Sequence, residues 1–337
     1  MLLSDPATRP GTAANSAAAI TCVDTHAHVF ARNMRMIEGR RYTPDYDATI
    51  ADYLAMLDNH GFSHGVLVQV SFLGTDNSYL VEALRQEPAR LRGIVVVEPT
   101  ITTEELHALD QVGVVGVRLN LIGLPDPPLA NVEWQEHLDR LAKLDWQVEV
   151  QAEAQRLPHL LPVLLGAGVR VVVDHFGRPD QALGIDDPGF QYLLTVGKTR
   201  QVWVKLSGAY RNGQAARGNH IASFATPALL DEFGAERLLW GSDWPHTCFE
   251  HPDATGVARE ALDRWISSDA DWQTVLVDSP HRLFRFDPGA QAALNKAIQD
   301  EPIIPAMPFL REAAPSCDFR APTGRDALAW KQHSINK

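Results

Sequence analysis

The chain has 337 residues, 45% of them apolar and 21% charged, a composition that excludes a disordered chain and indicates a globular protein. Its formal net charge of −12 argues against a nucleic-acid partner, because binding to a phosphate backbone needs clustered Lys and Arg. The three cysteines lack CxxC spacing, and no apolar run approaches the roughly 20 residues that span a bilayer. These features predict a cytoplasmic protein without a membrane partner.

Residues 1–20 lack a basic start followed by an apolar core, so we interpret them as a flexible lead-in rather than a secretion signal. From residue 21 on, short β-branched runs alternate with amphipathic segments, several of which end in glycine, as helices often do. The predicted strands are TCVDTHAHVF, HGVLVQVS, LRGIVVVEP, VVGVRLNLI, WQVEVQAE, RVVVDHFG, QVWVKLSG and RLLWGSDWP. The predicted helices between them include ATIADYLAMLDNHG, NSYLVEALRQ, TEELHALDQVG, WQEHLDRLAKLD and LPHLLPVLLGAG.

Eight strands that alternate with helices indicate an α/β protein, a (β/α)8 TIM barrel over residues 21–286. The segments ATGVAREALDRWI and DWQTVLVDSPHRLFRF are predicted to close it. Neither GxGxxG nor a GxxxxGK motif followed by Ser or Thr occurs, so a nucleotide phosphate site lacks its loop. Residues 287–337 are proline-rich and irregular, and we predict a C-terminal extension that wraps the barrel or supports a homo-oligomer.

Polar residues gather at the predicted carboxyl ends of three strands, where TIM barrels carry their chemistry. His26 and His28 lie two apart in DTHAH and share a face, His175 ends strand six, and Asp243 ends strand eight. These four groups suit one zinc ion with an open position for water, or, without metal, they polarise a carbonyl and deprotonate water. A single histidine at a strand end is more typical of a structural residue, but the four together favour a catalytic or metal site.

Further polar residues at these strand ends are candidate substrate contacts. Arg118 and Arg211, after strands four and seven, suit a carboxylate or sulfonate, although a salt bridge to a nearby acid is an equal alternative for each. Arg178 follows a turn glycine and either binds substrate or holds its loop to an acid. The remaining candidates, at the ends of strands two and five, are Ser71, Thr75, Gln151 and Glu153.

Other polar residues of the same segments are predicted to have structural roles. Asp76 and Asn77 suit capping of the helix NSYLVEALRQ. Lys205 shares its face with Ser207, and we predict a buried ion pair with an acid. Asp24 lies on the face of the two histidines, one step deeper, and is predicted to support them rather than to bind a metal.

The ordered set DTHAHVF, VLVQVSFLGTDN, GVRLN, VVVDHFGRPD and WGSDWPH resembles the amidohydrolase superfamily from about Val23 to Phe286. More narrowly, it is similar to the branch of 2-pyrone-4,6-dicarboxylate lactonases, with 4-sulfomuconolactone hydrolases and sugar-lactone enzymes as neighbours. The resemblance implies a TIM barrel in which Asp243 is the base for water and the three histidines hold the substrate carbonyl or a metal. It also implies at most one metal, because strands four and five lack the bridging lysine and further histidine of two-metal members.

Two positions depart from the pyrone-dicarboxylate enzymes of that branch. Those enzymes carry a second arginine shortly after an RFN-type motif, where RLNLIGL has Leu124, and a tyrosine where VEVQAE has Gln151. One anion-binding group is therefore lost and one phenol is replaced. These departures favour a related anionic lactone, such as a muconolactone with a carboxylate or sulfonate.

We therefore predict a hydrolase of aromatic-compound degradation that opens the ring of a small anionic lactone. Arg211 and Arg118 bind its anionic groups, one zinc ion or protonated His and Arg polarise its carbonyl, and Asp243 accepts a proton from water. No GxSxG elbow is present, so no nucleophilic serine is expected. The alternatives are a mononuclear zinc decarboxylase on the same scaffold, a sugar-acid lactonase, and a non-catalytic barrel that binds ligands or assembles through its extension.

Overall fold

A computed structural model of the chain describes residues 21–250 and 254–286. The predictions for residues 1–20 and 287–337, including the homo-oligomer, fall outside the described residues. Within them, eight parallel strands pair in chain order, each with the next. The strands are β1 (Val23–Ala27), β2 (His64–Val68), β3 (Leu91–Val95), β4 (Val114–Asn120), β5 (Gln147–Gln151), β6 (Arg170–Val173), β7 (Val202–Leu206) and β8 (Leu238–Trp240).

The sheet closes on itself between β1 and the chain that leaves β8. A parallel bridge joins Ala27 to Trp244. The amide of His28 donates to the Trp244 carbonyl at 2.8 Å, and the amide of Asp243 donates to the His26 carbonyl at 2.7 Å. The predicted TIM barrel is confirmed, and its closure fixes the backbone of three predicted site residues.

Helices follow the strands at the predicted places. The helices listed above between β1 and β6 all form, with ends within about two residues of those predicted. The α-helices of the described residues are α1 (Ile50–Asn59), α2 (Ser78–Gln86), α3 (Thr103–Gln111), α4 (Val132–Lys143), α5 (Leu157–Gly166), α6 (Pro188–Val196), α7 (Ala215–Phe233), α8 (Ala254–Trp265), α9 (Asp269–Gln273) and α10 (Ser279–Leu283). No helix of the described ranges is long and apolar enough to cross a membrane.

Side-chain caps set where several helices begin. In α1 and α3, Thr49 and Thr102 each accept from the backbone amide three residues on, and the acid at that position accepts in return from the cap backbone. The predicted capping of α2 is only half right. Asp76 accepts from the Ser78 amide at 3.2 Å, but the buried Asn77 side chain bonds both backbone groups of Val96 instead, at 2.8 and 3.0 Å. Bridging to the chain after β3 satisfies both ends of a buried amide, which a helix cap would not.

The strands are buried nearly throughout, as expected for a parallel sheet covered on both faces. Apolar residues of the strands pack with the segment after α10 in one cluster and with the surrounding helices in another. Polar residues interrupt this core in the middle and carboxyl-terminal halves of the strands. They are His26, Arg118, Glu149, Gln151 and Lys205, all buried.

Candidate active site

The four residues predicted to carry the chemistry meet at the carboxyl ends of the strands, and all are buried. The ring centroid of His26 lies 4.9 Å from that of His28 and 4.8 Å from that of His175. Asp243 Oδ1 lies 3.6 Å from His28 Nε2 and 3.8 Å from His26 Nε2. Residues from β1 and from the ends of β6 and β8 thus form one cluster.

Tight turns direct two of these side chains into the cluster. His175 and Asp243 both have left-handed backbone conformations, with φ of 51° and 61°. Such values are uncommon for residues other than glycine and indicate strain at functional sites. The turn at His175 is held from the loop after β7, where Ser207 Oγ lies 2.9 Å from its Nδ1 and Asn212 donates to its carbonyl at 3.1 Å.

Asp24 supports the closure beneath the cluster. Its carboxylate accepts from the backbone and hydroxyl of Ser242 at 2.8 and 2.6 Å, and from the His26 amide at 3.2 Å. Burial raises the pKa of Asp24 in spite of these bonds. Asp24 belongs to neither group of candidate metal ligands in the described part of the chain, which agrees with the predicted supporting role.

Asp243 is held as an anion by two donors from the loop after β7. Arg211 donates through Nε and Nη2 at 2.5 and 3.1 Å, and the Tyr210 hydroxyl donates at 2.7 Å. Burial by itself would raise the pKa of Asp243, but the Arg211 guanidinium outweighs burial and holds the pKa well below its usual range. Asp243 is therefore ionised at neutral pH.

Two histidines of the cluster, His28 and His175, are neutral at the same pH. Burial lowers the pKa of His28 to about 4 and lowers that of His175 well below its ordinary value. His28 Nδ1 lies 2.7 Å from the Val68 carbonyl, which can only accept, so Nδ1 carries the proton. His28 Nε2 consequently presents a lone pair toward Asp243 Oδ1. A proton donor or a cation is needed between these two atoms.

Three of the four predicted ligands, His26, His28 and Asp243, could hold one metal ion. Two groups of candidate ligands share His26: one adds His28 and Asp243, the other Asp174 and His175, and in each the ligand atoms lie within 4.8 Å of one another. Ligands of a tetrahedral zinc ion, at about 2.0 Å from it, lie roughly 3.3 Å apart, near the distances found between Asp243 Oδ1 and the two Nε2 atoms. His175 Nε2 is buried and has no hydrogen-bond partner among the described residues.

A buried network of charges lies behind the histidines. Lys205 Nζ lies 2.5 Å from Glu149 Oε2 and 3.0 Å from His26 Nδ1, so the predicted ion pair of Lys205 is confirmed. Arg118 Nη2 lies 2.7 Å from Asp174 Oδ2. For Arg118, as for Arg211, the structure thus forms the salt bridge that was the alternative to substrate binding.

A cavity opens beside the histidines and receives most of the predicted substrate contacts. Ser71, Gln151, Arg118, Arg178 and Arg211 line it, whereas Thr75 is exposed and lies outside its lining. The other lining residues are His28, Arg41, Tyr42, Val70, Phe72, Thr247 and Cys248. A separate groove beside α1 and α8 contains none of the four clustered residues.

Comparison with known proteins identifies the family of the chain. The model described as Amidohydrolase matches residues 23–286. The chain belongs to the amidohydrolase family. It is 34% identical over 275 residues to 2-pyrone-4,6-dicarboxylate hydrolase of Comamonas testosteroni, covering 78% of this chain and 89% of that protein. It is 33% identical over 268 residues to 4-sulfomuconolactone hydrolase of Rhizobium radiobacter, covering 77% and 89%.

A solved structure agrees with these relatives. The amidohydrolase chain is similar to a probable 2-pyrone-4,6-dicarboxylic acid hydrolase of Acinetobacter baumannii with citric acid bound. The TM-score is 0.76 and the identity 43%, covering 78% of this chain and 99% of that one. The predicted superfamily, the lactone-hydrolase branch and the prediction of an enzyme are confirmed.

Several site residues of this amidohydrolase were missed from the sequence. Asp174 precedes His175 in VVVDHFGRPD. Its position at the end of a predicted strand could have identified it as a candidate site residue. Tyr210 lies in a short helical turn after Gly208, and its contact with Asp243 depends on that turn. Arg41 comes from the long segment between β1 and α1, where no periodic pattern indicated a direction for its side chain.

Gly208 lies beside the turns at His175 and Asp243, at a position where a side chain would not fit. Its φ is 53°, and a Cβ would lie 2.8 Å from Asp243 Oδ2 and 2.9 Å from His175 Nδ1. Gly208→Ala is expected to displace these groups and to lower kcat on an anionic lactone by about 10²-fold. Gly61→Ala is the matched control, because Gly61 has a φ of 75° but nothing within 4 Å of its Cβ position. Equal kcat values for the two variants would contradict the expectation.

Proposed function

We propose that this amidohydrolase opens the ring of a small anionic lactone by the addition of water. The observation that carries the proposal is the ionised Asp243, which faces the neutral His28 beside a cavity lined by four arginines. Positive charge at the cavity favours an anionic substrate despite the net charge of the chain. The named activities of the two curated relatives, on a pyrone dicarboxylate and on a sulfonated lactone, support the same substrate class.

Asp243 is the base that accepts a proton from the attacking water. Its Oδ1 atom faces His26 and His28 and accepts from Arg211 Nη2 at 3.1 Å, and its Oδ2 atom accepts from Tyr210 and from Arg211 Nε. Water bound between Oδ1 and the histidines would donate to the carboxylate as it adds to the carbonyl carbon. A substrate acid group that also binds the Arg211 guanidinium would weaken the ion pair between Arg211 and Asp243. The Asp243 carboxylate would then be a stronger base.

Charge that develops on the carbonyl oxygen is stabilised by groups already in place. One zinc ion held by His26, His28, His175 and Asp243 would polarise the carbonyl as a Lewis acid. In the metal-free alternative, the positive charge comes from Arg118, whose Nη2 lies 3.4 Å from His26 Nε2, and from a protonated histidine. The leaving ring oxygen then takes the proton that Asp243 received.

Arg211 and Arg118 differ in the guanidinium nitrogens that remain free to bind a substrate. Arg211 uses Nε and Nη2 on Asp243, which leaves Nη1 for an acid group of the lactone. Arg118 uses Nε and Nη2 on Asp174 and Nη1 on the Gln69 carbonyl. We therefore assign Arg211 rather than Arg118 as the stronger anion contact of this pair, with Ser71 and Gln151 as polar contacts.

Substrate charge provides the first test. Purified protein is assayed with 2-pyrone-4,6-dicarboxylate, with 4-sulfomuconolactone and with an uncharged lactone of the same ring size. We expect turnover of at least one anionic lactone, with kcat/KM roughly 10²-fold or more above that of the uncharged one. Equal kcat/KM values for charged and uncharged lactones would contradict the proposal.

Metal content separates the two ways of polarising the carbonyl. We expect about one zinc per chain by elemental analysis and a loss of at least roughly 10²-fold in kcat after treatment with a chelator, restored by zinc. Full activity of protein without metal would overturn the zinc assignment and leave Arg118 and the histidines as the polarising groups. The turnover of anionic lactones is predicted in either case.

A further inference from the structure

We propose that Arg41 binds a second acid group of the substrate, so that the cavity selects lactones with two acid groups over those with one. This inference rests on the proposed function, because it concerns the same cavity. Arg41 comes from the segment between β1 and α1, outside the strand ends that supply the reacting groups.

The cavity contains two guanidinium groups that are not in ion pairs with any acid of the described residues. Arg118 and Arg211 are each paired with a buried carboxylate, at 2.7 and 2.5 Å. Within residues 21–250 and 254–286, the side chains of Arg41 and Arg178 form no hydrogen bond or ion pair. Cations that line a cavity without a protein partner are suited to anions of a ligand.

The segment that carries Arg41 is fastened across the mouth of the barrel. Phe30 and Ala48 exchange two backbone hydrogen bonds, and the Ile37 amide donates to the Phe72 carbonyl at 2.9 Å. Tyr42, the next residue after Arg41, donates through its hydroxyl to Glu250 in the chain after β8. The backbone that carries Arg41 is therefore held in place before a substrate arrives, and only the arginine side chain has to be ordered on binding.

Arg41 supplies positive charge beside a connection that contains no lysine or arginine of its own. Its Cδ lies 3.4 Å from the position that a Cβ on Gly123 would occupy. The connection that contains Gly123, residues 121–131, has no lysine or arginine, and its Leu124 is exposed. An acid group bound here would find Arg41 as its cationic partner.

Repulsion among the cations of the cavity favours an anionic ligand. Burial lowers the pKa of Arg41, and the guanidinium groups of Arg211 and Arg118 lower it further. Arg178 faces the same conditions, since burial and then Arg211 lower its pKa to about 10. Two acid groups on one substrate would relieve this repulsion more than one acid group.

The test compares Arg41→Gln with the matched control Arg35→Gln. Arg35 is an exposed arginine of the same segment, as Arg41 is, but it lines neither the cavity nor the separate groove. The substrates are 2-pyrone-4,6-dicarboxylate and the corresponding pyrone with a single carboxylate. We expect Arg41→Gln to raise KM for the diacid roughly tenfold, with kcat and the KM of the monoacid changed less than about threefold, and Arg41→Lys to recover part of the loss.

A binding measurement without turnover keeps this inference separate from the proposed function. Titration calorimetry with tricarballylate, an unreactive tricarboxylate, is expected to show roughly tenfold weaker binding to Arg41→Gln than to Arg35→Gln. If tricarballylate bound more weakly to Arg41→Gln but the protein hydrolysed no lactone, the proposed function would be overturned. The assignment of Arg41 as an anion-binding residue would still hold. Equal KM and equal tricarballylate affinity for the two variants, or no tricarballylate binding to the unaltered protein, would overturn the role of Arg41.

Discussion

Asp243→Asn is expected to lower kcat on an anionic lactone by about 10²- to 10⁴-fold, because the amide cannot accept a proton from water. The substitution keeps the shape of the side chain and an oxygen that Tyr210 and Arg211 can still contact. Steady-state kinetics on the best lactone substrate would measure the loss. We expect KM to change less than kcat, because Arg211 Nη1 remains available to the substrate anion in the variant.

Asp139→Asn is the control for Asp243→Asn. Asp139 forms an exposed ion pair with Lys143 in α4, and 61% of its side chain is accessible. Its replacement removes one negative charge without touching the site, so kcat is expected to remain within about twofold. If Asp243→Asn also retained kcat within that range, water activation by Asp243 would be wrong.

Lys205→Met is expected to lower the free energy of unfolding by about 3–5 kcal/mol, because it leaves the buried Glu149 carboxylate without its nearest cation. Lys205 is fully buried, and its Nζ lies 2.5 Å from Glu149 and 3.8 Å from Asp174. His26 loses a contact of 3.0 Å in the same substitution. Urea denaturation, followed by tryptophan fluorescence, measures the loss of stability.

An exposed lysine and a double substitution serve as controls for Lys205→Met. Lys143→Met breaks a pair in which the lysine side chain is 72% exposed, and we expect a loss below about 1 kcal/mol. Adding Glu149→Leu to Lys205→Met removes the stranded carboxylate and is expected to recover part of the stability. A loss for Lys205→Met no larger than that for Lys143→Met would show that the buried network contributes nothing.

The fold and the central cluster were predictable because both depend on periodic local patterns. Strands of a parallel barrel all end on the same side, so His26, His28, His175 and Asp243 could be assigned to one place from their positions in the strand segments. The β-branched runs and the glycines after the helices marked those segments. Closure between β1 and the chain after β8 then follows from the count of eight strands.

The partners of those residues could not be predicted, because they depend on loops and on distances across the barrel. Both arginines expected to bind the substrate have a buried acid within reach, and the sequence does not show which acid lies opposite. Tyr210 reaches Asp243 only through the turn after Gly208. Arg41 arrives from a segment of irregular structure, which carries no pattern that aims its side chain into the cavity.

The most direct test of the proposed reaction is product analysis of lactone turnover in water enriched in oxygen-18. Ring opening by hydrolysis predicts a single acid product that carries one labelled oxygen in its new carboxylate, with one proton released for each turnover. Release of carbon dioxide without incorporation of the label would contradict hydrolysis and indicate a decarboxylase instead. Failure to convert any carboxylated or sulfonated lactone would contradict the account as a whole.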